Sequence, residues 1–144
     1  MCVLPYLVAK GYKVKVMSDD DRVLWMAENL GLEIVTLDSM GEFDIFLCVH
    51  GNRIIPEKYL SNGVWVNVHP CLGLYNGTNP IKRYLANGDE EGWVASHHMT
   101  KDVDEGEVIY EVGFYTGKCN SYADFYNEAL RFYFLTIDRT LEQV

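Results

Sequence analysis

The chain has 144 residues, 49% of them hydrophobic and 23% charged, and a formal net charge of -9 at pH 7. That length and balance suit a single globular domain over 1–144 with a buried core, and no repeat, low-complexity run or linker divides it. The acidity argues against a nucleic acid partner, because phosphate-backbone contacts need clustered Lys and Arg.

No apolar run reaches the length of a membrane span, so no membrane partner is expected. The first residues are apolar but lack a basic n-region and a cleavage signature, which argues against a signal peptide. Cys2, Cys48, Cys71 and Cys119 are scattered, without a Cys-x-x-Cys pair. Thiols spaced in this way fit a reducing cytoplasm better than a disulfide framework or a zinc site.

The elements alternate between helix and strand, which predicts an α/β fold with a mostly parallel sheet. Met1 to Lys10 reads as a helix rather than the opening strand of a doubly wound sheet, so the usual first strand is expected to be lacking. Lys13 to Met17 alternates like a strand, and Ser18-Asp19-Asp20-Asp21 offers caps for a helix from about Asp21 to Leu30, stopped by Gly31. Leu32 to Leu37 is a second short strand. Asp44 to His50 is a continuous apolar run, the pattern of a central strand buried on both faces.

Pro56 opens a short helix through Leu60. Val64 to Val68 is the next strand, delivering Asn67 and His69 to the sheet edge where ligands bind in open α/β folds. Gly73 to Asn79 reads as a loop and Pro80 opens a helix to about Asn87. Trp93 to Met99 and Glu107 to Tyr115 are strands around the loop Thr100 to Gly106. Ser121, with Asp124 three positions on, caps a long helix to about Leu141. Tyr122, Phe125, Tyr126, Ala129, Leu130, Tyr133, Phe134, Ile137 and Leu141 fall at helical spacing on it. Core packing is the first reading of that stripe, and a homodimer contact the second.

The chemistry-bearing residues are Asn67, His69 and Asp104. Moving an acyl group between two amines passes through a tetrahedral oxyanion, and one preorganised donor aimed at it contributes about 3 to 4 kcal/mol. The Asn67 amide can supply that donor. His69, two residues on along an extended segment, faces the same way, and its imidazole can stabilise the oxyanion or protonate the departing nitrogen. A carboxylate beside it would hold the imidazole protonated and take a proton from the attacking amine. Asp104, on a Gly-bounded loop, is the candidate. Taken singly, Asn-x-His-Pro reads as a strand ending in a turn, and Asp102, Asp104, Glu105 and Glu107 as a solvated loop face. His97 and His98 are adjacent and point to opposite faces of a strand, so no metal site is expected.

Asn67-Val68-His69-Pro70-Cys71-Leu72 is followed by Tyr75-Asn76-Gly77, Pro80-Ile81 and Asn87-Gly88-Asp89-Glu90-Glu91. His97-His98-Met99-Thr100-Lys101-Asp102-Val103-Asp104-Glu105-Gly106 completes the series. In this order and spacing it resembles the folate-dependent formyltransferases, a family that includes the glycinamide ribonucleotide, methionyl-tRNA and nucleotide-sugar enzymes. The resemblance implies a Rossmann-like fold with helices on both faces of the sheet. It also implies direct transfer from formyltetrahydrofolate to an amine. Matched motif by motif, Asn67, His69 and Asp104 take the catalytic roles and His97 a supporting one. Asn52, Arg53, Ile54 and Ile55 match the segment whose backbone binds the pterin, and the loop with Asp102 and Val103 would wall the other side.

Three departures bear on the acceptor. Cys71-Leu72-Gly73-Leu74 stands where the family carries Ser-Leu-Leu-Pro, the opening strand is lacking, and no further domain is expected after Val144. The tRNA-binding members are therefore expected to be poor guides, which leaves an amino sugar nucleotide as the expected small-molecule substrate by elimination. The alternatives are a glycinamide ribonucleotide transferase, a formyltetrahydrofolate hydrolase, or a truncated, non-catalytic folate-binding module.

Overall fold

The computed structural model describes residues 3–144 apart from 52, 72 and 118. Cys2, Asn52 and Leu72 therefore lie outside the described residues. The chain divides into two packing units, Met1–Phe43 and Asp44–Val144.

In the first unit, α1 (Val3–Ala9) leads to β1 (Lys15–Val16), α2 (Asp21–Asn29) and β2 (Glu33–Ile34). The Asp20 carboxylate caps α2, accepting from the Arg22 backbone N–H at 2.9 Å. Gly31, at φ +67, closes the helix, and the Leu32 N–H returns to the Ala27 carbonyl at 2.9 Å. β1 and β2 pair in parallel, Lys15 opposite Glu33. Both strands are shorter than the sequence pattern suggests, because each has only the other as a ladder partner in this unit. Among the described residues no strand precedes β1.

The second unit holds β3 (Ile45–Val49), α3 (Glu57–Leu60), β4 (Val64–Pro70), α4 (Pro80–Asn87), β5 (Glu91–His98), β6 (Val108–Tyr115) and α5 (Tyr122–Leu141). Its sheet runs β3-β4-β5-β6. β3 and β4 are parallel, as expected of the α/β pattern, and β5 and β6 return antiparallel to make the sheet mixed.

Two expectations are corrected here. β3 stands at an edge of this sheet, and its five residues are half-buried rather than enclosed on both faces. β4 does not end at Val68 but runs to Pro70, because β5 supplies an antiparallel partner along it, Val94 facing Pro70. The Cys71 N–H extends the pairing to the Trp93 carbonyl at 2.8 Å.

α5 starts where the sequence places it, with the Ser121 hydroxyl accepting from the Asp124 N–H at 3.1 Å. It buries Phe125, Ala129, Tyr133, Thr136, Ile137 and Thr140. The buried stripe is thus narrower than the aromatic pattern and takes in two threonines, whereas Tyr122 and Leu130 stay exposed. The Thr140 hydroxyl meets Ser96 Oγ at 2.6 Å, so α5 covers the sheet face that carries Ser96. Strand alternation leaves Asn67, His69 and His97 on the opposite face.

Candidate active site

Register brings the first residues of the site together. Asn67 in β4 lies directly across from His97 in β5, and His69 stands two residues along the same face. The pairing with β6 shifts register between Ser96 and His97, with Ile109 as the extra residue on β6. On the other side of β4, Cys48 of β3 is in register with Asn67. Burial pushes the Cys48 thiol up, with the charge of Asp104 adding to the effect, which keeps it un-ionised.

The fourth residue arrives from the loop between β5 and β6. The loop leaves after the Met99 N–H bonds the Trp65 carbonyl at 2.8 Å and closes where the His98 N–H meets the Glu107 carbonyl at 2.9 Å. Asp104 sits in it with left-handed backbone, φ +58, a conformation an aspartate tolerates better than most residues. Gly106 makes the closure possible: a Cβ there would lie 1.7 Å from the His98 carbonyl oxygen.

The Asp104 carboxylate is where the site converges. Its Oδ2 is 3.2 Å from His69 Nε2 and accepts from the Gly77 backbone N–H at 2.7 Å. Its Oδ1 is 3.4 Å from the Asn67 Nδ2 donor and 3.5 Å from His97 Nε2. The His69 and Asp104 side chains are only 9% and 6% exposed, so this pairing acts in a medium drier than bulk water.

Hydrogen-bond chemistry fixes the ring states. His97 Nδ1 lies 2.9 Å from the His98 carbonyl, which can only accept, so Nδ1 carries the hydrogen. Burial pushes the proton affinity of His97 down, which favours the neutral ring. Its Nε2 is then an acceptor for Asn67 Nδ2 at 3.2 Å. His69 Nε2 faces two acceptors, Asp104 Oδ2 and the Gly77 carbonyl at 3.4 Å, and so carries a hydrogen. His69 Nδ1 is buried and has no hydrogen-bond partner among the described residues.

All four residues singled out from sequence for catalysis and support, Asn67, His69, His97 and Asp104, therefore share one cluster. The expected folate-binding residues are placed less tightly. Arg53 and Ile54 lie exposed in the segment after β3, Ile54 at 74%, whereas Ile55 is buried. Asp102 and Val103 are exposed on the loop that presents Asp104. Asn52 is outside the described residues. Two contributors escaped the sequence reading. Cys48 becomes a neighbour only through strand register, and Gly77 acts through its backbone, for which a sequence offers only the glycine itself.

Comparison with known proteins gives this cluster its context. The Formyl transferase family matches residues 12–126. The chain belongs to the formyl transferase family. The methionyl-tRNA formyltransferase of Thermotoga neapolitana is 30% identical over 137 residues, covering 76% of this chain and 44% of the relative. The chain spans less than half the length of the curated relatives it matches.

Among solved structures, the phosphoribosylglycinamide formyltransferase of Streptococcus pneumoniae TIGR4 superposes with a TM-score of 0.79 at 20% identity. That match covers 94% of this chain and 89% of the other. WlaRD, a sugar 3N-formyl transferase solved with dTDP and 5-N-formyl-THF, gives a TM-score of 0.75 at 18% identity, covering 94% and 55%. The formyl transferase fold is thus the one seen here: Rossmann-like, with mixed sheets and helices.

Proposed function

We propose that this chain transfers a formyl group from formyltetrahydrofolate directly to the amine of an acceptor. The observation that carries the reading is the buried Asp104 carboxylate, which ties His69, Asn67 and the Gly77 amide into one unit. The acceptor nitrogen attacks the formyl carbon, its proton passes to the Asp104–His69 pair, and the folate nitrogen leaves with a proton in exchange. Asn67 Nδ2 stabilises the oxyanion formed between these steps.

Both hydrogens of Asn67 Nδ2 have acceptors in the resting site, and the 3.4 Å contact to Asp104 is the longer. That contact is the one a formyl oxygen takes over. The unpartnered His69 Nδ1 supports the fit, since a buried polar atom without a partner suits a site completed by a polar ligand. Arg53, Ile54, Ile55, Asp102 and Val103, with Asn52, are the proposed folate-binding residues. We take 1–144 as one catalytic domain in this reading.

For the acceptor, the net charge of -9 supports a small molecule, an amino sugar nucleotide first. Similarity to methionyl-tRNA formyltransferases over 76% of the chain supports a second reading, the amine of methionyl-tRNA. The test is consumption of formyltetrahydrofolate by the wild-type chain with a 4-amino sugar nucleotide, methionyl-tRNA or buffer alone. Turnover requiring one of the two amines supports transfer and names the acceptor class. Equal turnover in buffer alone would make the chain a hydrolase instead.

The free thiols of Cys48, Cys71 and Cys119 suit a reducing cytoplasm, the compartment proposed here. Exposed Tyr122 and Leu130 on α5 are the surface on which a homodimer would be sought.

A further inference from the structure

We propose that Arg83 is a positioning residue for this site, acting through the single peptide group that joins Asn76 to Gly77. The inference rests on the formyl-transfer reading above and deepens it. Arg83 projects from α4 and is not among the residues that meet the Asp104 carboxylate. Its Nη2 donates to two successive carbonyls of the preceding loop, Tyr75 at 2.9 Å and Asn76 at 2.5 Å. Its guanidinium also lies 5.6 Å from the centre of the Tyr75 ring.

The Asn76 carbonyl and the Gly77 N–H are opposite ends of one planar amide. Arg83 grips the carbonyl end, and at the other end the N–H donates to Asp104 Oδ2 at 2.7 Å. A cation at the carbonyl polarises the amide and strengthens its N–H as a donor. It also fixes which way the plane faces. Gly77 has φ +82, the conformation in which a turn peptide can rotate between two orientations at low cost.

Rotated by half a turn, the same peptide would present its carbonyl oxygen to the Asp104 carboxylate, a repulsive contact. Arg83 opposes that rotation from outside the site. The next carbonyl, that of Gly77, lies 3.4 Å from His69 Nε2, so the same loop also bears on the imidazole. The loop is tied down elsewhere, with the Gly73 N–H held by Asn76 Oδ1 at 2.7 Å and Tyr75 Oη bonded to Asp89. Those ties hold its shape, whereas Arg83 sets the orientation of the one amide that meets Asp104.

The test compares wild type, Arg83→Met and Arg83→Lys by amide NMR and by steady-state kinetics. In Arg83→Met the Gly77 amide proton should move upfield and exchange with solvent about tenfold faster or more. With the acceptor that supports turnover, kcat should fall about tenfold while KM for formyltetrahydrofolate stays within about twofold. Arg83→Lys keeps the charge and a donor, and should recover most of both losses. A uniformly loosened loop would not be rescued in this way.

A Gly77 amide with unchanged shift and exchange in Arg83→Met overturns the proposal, as does an unchanged kcat. Should the wild type transfer formyl to no acceptor, the functional reading fails, and the Gly77 amide alone decides whether Arg83 holds the peptide. If Arg83→Met does not fold, Arg83→Gln takes its place beside Arg83→Lys, and an unchanged Gly77 amide or an unchanged kcat in Arg83→Gln overturns the proposal.

Discussion

Asp104 holds a left-handed backbone conformation while its two carboxylate oxygens accept from His69, Asn67 and the Gly77 amide. The strain of that backbone is tolerable because three donors define where the carboxylate must be. His97 contributes differently, as a buried neutral ring whose Nε2 orients the Asn67 amide. It is faced by Asp104, His69 and His98, and burial outweighs the pull of the carboxylate, lowering its proton affinity. Folding therefore leaves His97 binding fewer protons than it does in the unfolded chain. The unfolded ring begins to take up a proton as pH falls through its ordinary value of 6.5, so His97 costs stability progressively below that pH. Urea unfolding from about pH 7.5 down to about pH 5.5 should show a shallower loss of stability in His97→Gln than in wild type. Parallel curves would mean that His97 is not held neutral.

At the scale of elements, the long excursion between β5 and β6 depends on Gly106 more than on any polar contact. A Cβ at that position meets backbone, the His98 carbonyl at 1.7 Å, and backbone cannot step aside as the end of a side chain can. Gly106→Ala should destabilise the chain by about 2 to 4 kcal/mol and, by displacing Asp104, reduce turnover further than the stability loss explains. An unchanged urea midpoint would show that the loop closes in another way. The sequence announced these elements well where the signal is local. The Ser121 cap, Pro80 at the head of α4 and the end of that helix at Asn87 all stand where read. It misjudged what depends on partners. β3 reads as a central strand, yet it lies at an edge, because hydrophobicity does not reveal how many strands flank a segment. β4 outran its apolar pattern for the same reason, with β5 carrying the ladder on to Pro70. Asn67, His69, His97 and Asp104 were legible as a set through the motif series, whereas Gly77 and Cys48 contribute through backbone and register.

Over the whole chain, membership of the formyl transferase family and a Rossmann-like fold agree with the cluster built on Asp104. Among the described residues no helix is long and apolar enough to cross a membrane. The net charge of -9 and the similarity to methionyl-tRNA formyltransferases pull the acceptor reading in opposite directions. Substrate competition resolves them, because steering by charge changes affinity with salt and leaves the chemical step alone. In the proposed chemistry Asn67 Nδ2 is the donor to the oxyanion. The most direct measurement is single-turnover formyl transfer, from formyltetrahydrofolate to whichever amine the wild type accepts, in Asn67→Ala and in the wild-type chain. Asn67→Ala should keep the wild-type fold by circular dichroism and unfolding midpoint, and lose on the order of a hundredfold or more in rate. A folded Asn67→Ala chain that transfers formyl at the wild-type rate would contradict the assignment of this cluster as the catalytic site.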